Sequence, residues 1–181
     1  ITLGTDESDA LIDGLLAGRL DAAIVSVGSE IPEGLAAEVV TDQRIVAAVG
    51  VGHPWRRRRR IAPADLADQP LIALPRGTGI RHQLDRACRA AGVDVRVAFE
   101  ASTPHALAEL AERGLGVAVV PESVARDRMT LHPLPITPEL RGRLVFAWRA
   151  AGPMSPAARA LVTMARRGLA SVTPIGVGGP E

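Results

Sequence analysis

The residues best suited to holding a small molecule are Arg76-Gly77-Thr78-Gly79-Ile80. They follow the apolar run Leu71-Ile72-Ala73-Leu74 and open a helical pattern. Glycine lets backbone approach a ligand closely, and the N–H groups of a helix start attract anions. Arg76 or Arg81 can pair with a carboxylate. A strand-to-helix turn that binds nothing has the same composition, so both readings stand at this level. Thr5 to Ser8 also lead into a helical pattern. There Thr5 and Ser8 offer hydroxyls, whereas Asp6, Glu7 and Asp9 suit the positive end of a helix. Ser102-Thr103 precede Pro104. Thr103 reads first as an N-cap and Ser102 as the better ligand contact. The candidate ligand-binding set is therefore Thr5, Ser8, Arg76, Gly77, Thr78, Gly79, Ile80, Ser102 and Thr103.

Reactive chemistry finds little material. No two of His53, His82, His105 and His132 have metal-ligand spacing. Cys88 shares a helical stripe with Leu84 and Ala91, which predicts a core thiol. There is no Gly-x-Ser-x-Gly elbow, and Gly77-Thr78-Gly79 lacks the lysine of a P-loop. Neither a catalytic residue, a metal nor a cofactor is expected. Arg56 to Arg60 form an unbroken cationic run. Such a run can neutralise phosphates, but without aromatic interleaving it reads first as a solvated loop.

One unit positioning these residues occurs twice. Ile1 to Leu3 read as a strand, followed by a polar loop, a helix stopped at Gly18 and a second strand from Leu20 to Val25. Leu11, Ile12, Leu15 and Leu16 share one face of that helix, and Ser8 or Asp9 can cap it. Asp21 to Val27 lack polar alternation, which predicts a parallel strand covered on both faces. Val95 to Phe99, a helix ending at Gly114 and Leu115 to Pro121 repeat the order. Two separated βαβ units predict an α/β fold with two Rossmann-like lobes facing across a cleft. Between them, 35–40 and 44–49 are strand candidates with a crossing between lobes at Thr41-Asp42-Gln43. A helix carries Ile80, Leu84, Ala87, Cys88 and Ala91. Leu131 to Pro135 read as a stiff second crossing, Leu144 to Trp148 as a strand, and Ser155-Pro156 open a last helix with Ala158, Leu161, Val162 and Ala165 inward. The expected division is 1–41 with 136–169 as one lobe, 42–135 as the other, and 170–181 as a disordered tail.

The chain has 181 residues, a net charge of +1 and an apolar fraction of 47%, enough for a sizeable core without a global pull toward nucleic acid or membrane. Two Trp, two Phe and no Tyr leave almost nothing on which to stack bases. One cysteine excludes an internal disulfide and fits a reducing compartment. No leader and no membrane-length apolar run are visible, so the expected location is the cytoplasm. The abrupt opening on a strand reads as a piece of a longer protein.

The stretches AGRLDAAI (17–24), VGHPW (51–55), DLADQPLIALPRGTGIR (65–81), FEASTPHALAELAERGLGVAVVP (99–121) and MSPAARALVTMARRGL resemble, in that order, the effector-sensing domain of LysR-type transcriptional regulators. The resemblance implies a type 2 periplasmic-binding-protein-like fold with hinge crossings. It implies a small effector held between the lobes, for which Arg76 and Arg81 suggest an anion, and a homodimer or higher oligomer in the full-length protein. DNA contact would come only through an N-terminal winged helix-turn-helix, which does not precede Ile1 here. The family's sensor domain opens with a strand and a long helix, contributors to dimer contacts and pocket, ahead of the strand read at Ile1 to Leu3, and the resemblance leaves both unmatched in this chain. The alternatives are a transporter's solute-binding protein, a small enzyme using the same cleft, and an interaction module without a ligand.

Overall fold

The computed structural model describes residues 2–28 and 30–170. The expected tail at 170–181 lies outside the described residues, save for Ala170 as the last residue of a helix. Contacts divide the chain into two compact units. One comprises Ile1–Asp42, Gly77–Gly79 and Arg143–Glu181; the other comprises Gln43–Arg76 and Ile80–Gly142. The strands hydrogen-bond in the order β1-β6-β2-β5-β3-β4, where β1 is Ala22–Val27, β2 Leu35–Gly50, β3 Leu71–Ala73, β4 Val97–Glu100, β5 Val117–Pro121 and β6 Leu131–Arg149.

In the first unit, helix α1 (Ser8–Leu16) buries Leu15 against Val25, Val27, Leu35, Val145 and Ala147, with Leu11 and Ile12 packed alongside. Its end follows from Gly18, which takes φ +70°. That geometry lets the amides of Gly18 and Arg19 bond back to the carbonyls of Leu15 and Gly14, at 3.0 and 2.9 Å. β1 pairs antiparallel with β6, Ala22 opposite Trp148 through Val27 opposite Arg143. The expectation of a doubly covered parallel strand is therefore corrected. Val25 and Val27 face the core, but Ile24 on the other face is 55% exposed. An apolar run without alternation did not distinguish two covered faces from one. The expected strand at Ile1 to Leu3 is also absent among its described residues: positions 2 and 3 are irregular and Leu3 is exposed. No described strand lies on the open side of β1 for them to join. The last helix, α5 (Pro156–Ala170), buries Ala158 and Val162, but Leu161, expected inward, is half-exposed.

In the second unit β3, β5 and 45–49 of β2 are buried on both faces, whereas the edge strand β4 is largely exposed. β3 runs parallel to β4 and β5, and β5 pairs antiparallel with 45–48 of β2. Side chains alternate between two layers. Ile45, Ala47, Val49, Leu71, Ala73, Val117 and Val119 face helix α2 (Gly79–Ala90) through Leu84 and Cys88. Val46, Ala48, Ile72, Ala118 and Val120 face α3 (Pro104–Glu112) and α4 (Glu122–Arg126) through Leu107, Ala108, Ala111, Val124 and Ala125. The β4-α3-β5 crossover is the repeated unit that the sequence announced.

Two long strands replace four expected pieces. β2 runs unbroken through Thr41-Asp42-Gln43, and β6 runs from Leu131 through Pro133, Pro135 and Pro138 to Arg149. Proline's fixed φ fits an extended chain, and only its missing donor forbids a central ladder position. The contact division falls inside these strands, at 42/43 and 142/143, and also counts Gly77–Gly79 with the first unit.

Candidate functional site

Within the first unit, two helix starts meet at one residue of β1. Ser8, the first residue of α1, accepts a hydrogen bond at its Oγ from the Ser26 amide, at 3.0 Å. Gly79, the first residue of α2, lies against the same serine. A Cβ added there would stand 2.5 Å from Ser26 Oγ and 2.7 Å from its carbonyl oxygen. Any side chain at position 79 would drive the helix start off β1, so glycine is required by close approach rather than by φ. Ser26 sits near the carboxyl end of its strand. Each helix start carries about half a positive charge on N–H groups that lack intrahelical partners.

The 77–79 turn is tied to α1 directly. The Asp9 amide donates to the Gly77 carbonyl at 3.3 Å. Gly77 takes φ +89°, and the Glu7 carboxylate occupies the place where a side chain at 77 would go. Glu7 is also the N-cap of α1, although its side chain caps nothing. This corrects the expectation that Ser8 or Asp9 caps the helix: the Ser8 hydroxyl is spent on Ser26. Glu7 and Ser26 are the residues that sequence reasoning missed. Ser26 had a legible signal, being the one polar residue inside Ala22–Val27. Glu7 reads in the sequence as a dipole partner, and nothing there places its carboxylate over a glycine seventy positions away.

The structure thus brings Ser8, Gly77 and Gly79 together around Ser26. Thr78, partly buried, lies between the two glycines. Thr5 is exposed in the irregular segment before α1, and Arg76 is exposed at the end of the second unit's first segment. Ile80 packs against both core layers of the second unit. Ser102 and Thr103 are exposed in that unit, and Thr103 Oγ1 caps α3 by accepting from the Ala106 amide at 3.2 Å.

Other polar groups are structural. Arg81 is buried, donating to the Leu74 carbonyl at 3.0 Å, Glu100 at 2.7 Å and Asp85 at 2.9 Å. Its guanidinium ties α2 to the ends of β3 and β4 through Nε and Nη1. Cys88 is buried in the core, and that burial, with Asp85 nearby, pushes its thiol pKa up. His53 accepts from the Trp55 amide at Nδ1, at 3.2 Å. Burial pulls its pKa down, opposed by a hydrogen bond with Gln69. Among the described residues no cluster of three His, Cys, Asp or Glu could hold a metal, and no helix is long and apolar enough to cross a membrane. The Ser26 junction gathers two hydroxyls, backbone amides and one carboxylate.

The profile of the family described as LysR substrate binding domain matches residues 1–170. A probable hydrogen peroxide-inducible genes activator of Mycobacterium avium is 34% identical over 119 residues, covering 65% of this chain and 38% of the relative. The chain therefore spans well under two thirds of that protein's length. Among solved structures, the effector-binding domain of QuiR in complex with shikimate superposes with a TM-score of 0.73 at 22% identity, covering 93% of this chain and 81% of the other. The oxidised form of OxyR superposes with a TM-score of 0.65 at 28% identity, covering 91% and 77%.

Proposed function

We propose, on the premise that the chain belongs to the LysR substrate-binding-domain family, that it is the effector-sensing module of a transcriptional regulator. The fold of that family is the periplasmic-binding-protein-like, two-lobed α/β fold. The observation that carries the reading is the family match across 1–170, joined to the junction at Ser26 where two helix starts and a glycine turn converge. In this reading Ser8, Gly77, Thr78 and Gly79 present hydroxyls and amides to a small polar effector. Thr5, Arg76, Ile80, Ser102 and Thr103 complete the proposed set. An anionic effector matches the helix starts, with Glu7 as the group it displaces.

The module does not turn its ligand over. It acts by linkage: the effector favours whichever regulator state binds it better, and a ligand with equal affinity for both states changes nothing. A coupling of about 1–3 kcal/mol gives a several-fold to hundred-fold change in output. The full-length protein works in the cytoplasm as a dimer or higher oligomer, and contacts its operator through a domain outside these residues.

The curated relatives named for hydrogen peroxide raise a second reading, in which the signal is oxidation. The chain has one cysteine, so these residues cannot form an internal disulfide. Cys88 is buried with its thiol pKa raised, the reverse of a redox-active thiolate. A bound effector is the better account.

Thermal melts with a panel of small organic acids test the reading. Ligand at a hundred times its dissociation constant should add about 2.7 kcal/mol of apparent stability. Thr78→Trp should abolish that gain while leaving the unliganded melt nearly unchanged. An equal fall in unliganded stability would mark the turn as architecture only.

A further inference from the structure

The Arg56 to Arg60 run remains outside this account. It is not a floppy tail. His53 caps a short 3-10 turn over Pro54–Arg57, and within that turn Trp55 is buried. Beyond the run, buried Ile61 is clamped to β6: its amide donates to the Pro135 carbonyl at 3.0 Å, and its carbonyl accepts from Thr137 at 2.8 Å. Arg58 is held from three sides. It pairs with Asp65 at 2.8 Å, stacks over the Trp55 ring at 5.0 Å, and its carbonyl lies 3.2 Å from His132 Nε2. The other four, Arg56, Arg57, Arg59 and Arg60, are exposed and form no ion pair with any described residue. A fixed ridge of four uncompensated cations is therefore set on an otherwise charge-balanced chain, which carries 21 cationic and 20 acidic side chains. All 21 cations are arginine, so the choice over lysine carries no information.

We propose that the 56–60 ridge is a sequence-blind contact for the phosphate backbone of double-stranded DNA. The anchors at Trp55 and Ile61 remove the entropy cost of ordering the run on a partner. The ridge fits a duplex better than other polyanions. A single strand or a bilayer would call for exposed aromatic or apolar groups within the run, and the one aromatic nearby, Trp55, is buried. The choice of DNA over an acidic protein surface rests on the regulator reading above, since a regulator's sensor is carried close to a duplex. Such a contact adds affinity without specificity and makes it steeply salt-dependent.

The test is fluorescence anisotropy of the 181-residue chain with a short mixed-sequence duplex, with polyglutamate as the rival polyanion. Four phosphate contacts predict a log–log salt slope of about −3.6, a loss of roughly a hundredfold in affinity between about 50 and 200 mM salt. The variant R56Q/R57Q/R59Q/R60Q should lose the duplex signal and the slope, with a thermal melt equal to or above the parent's because like charges have been removed. Duplex binding unchanged in that variant, or no duplex binding at the lowest salt, overturns the proposal. Polyglutamate bound as tightly as the duplex assigns the ridge to an acidic protein instead. None of these outcomes bears on the effector reading, whose readout is ligand-induced stabilisation.

Discussion

At the scale of single residues, the same side-chain types do different work according to where the fold puts them. His53 shows this through its proton. Burial lowers its folded pKa, so the unfolded chain binds the proton more readily. Its contribution is complete above the unfolded value of about 6.5 and is lost as pH falls through that value. Glu112, lowered by its bonds to Thr130 and Arg128, and Glu139, lowered by Arg141, lose their contributions only in the carboxylate range below. We therefore expect the melting temperature to begin falling below about pH 6.5, ahead of acid denaturation proper. His53→Asn keeps a capping acceptor and should flatten that first phase; an unchanged profile would remove His53 from the account. Thr103 makes a similar backbone bond to a different end. Thr103→Ala should cost about 1 kcal/mol in chemical denaturation, as an N-cap does. If Thr103→Ala weakens effector stabilisation beyond that loss, the residue has a binding role as well. Arg81 is buried and spends its Nε and Nη1 on Asp85, Leu74 and Glu100. Arg81→Met should destabilise by about 2–3 kcal/mol, toward the lower end for a broken buried pair because Glu100 stays half-exposed.

At the scale of elements, the site depends on how closely helix starts approach β1. Gly79 is the tightest point, and Gly79→Ala places a methyl within van der Waals contact of Ser26. Overpacking of that kind costs about 1–3 kcal/mol. We expect Gly79→Ala to lower the melt and also to erase ligand-induced stabilisation, whereas Gly92→Ala, at a helix end with open space beside it, should only strain a left-handed φ. Equal effects of the two on ligand response would deny the junction its role. β1 shows the limit of pattern reading for elements. Its run of small apolar residues is the same whether the strand is paired parallel and covered twice, or antiparallel and open on one face, as here. The irregular backbone at positions 2 and 3 has the same origin, since β-propensity is realised only when a neighbouring strand takes up the backbone donors.

At the scale of the molecule, two units each hold their own core. The single cysteine sits inside one of them, buried in its core. Treatment of the folded chain with hydrogen peroxide should leave Cys88 unmodified by peptide-level mass spectrometry, although exposed Met129 and Met164 oxidise, with Cys88 modification appearing only above the unfolding midpoint in denaturant. Rapid oxidation of the native chain would revive the redox reading. The arginine ridge is likewise a property of the whole, because its meaning depends on an acidic complement that is spread elsewhere and answers only Arg58.

Much of this was settled by local chemistry in the sequence. Gly18, Thr103-Pro104, the apolar stripes of α2 and α3, and the β4-α3-β5 order are short-range signals, and short-range signals need no fold to act. So is the nature of the 77–79 turn, since glycines flanking a hydroxyl are legible as a place of close approach. Tertiary structure alone decided what approaches it. The Glu7 carboxylate over Gly77, the Ser26 amide on Ser8 and the engagement of Arg81 join positions far apart in the chain. It also fused three expected strands and one expected crossing into β2 and β6, because pairing along a ladder outweighs the interruptions that turn residues and prolines announce locally.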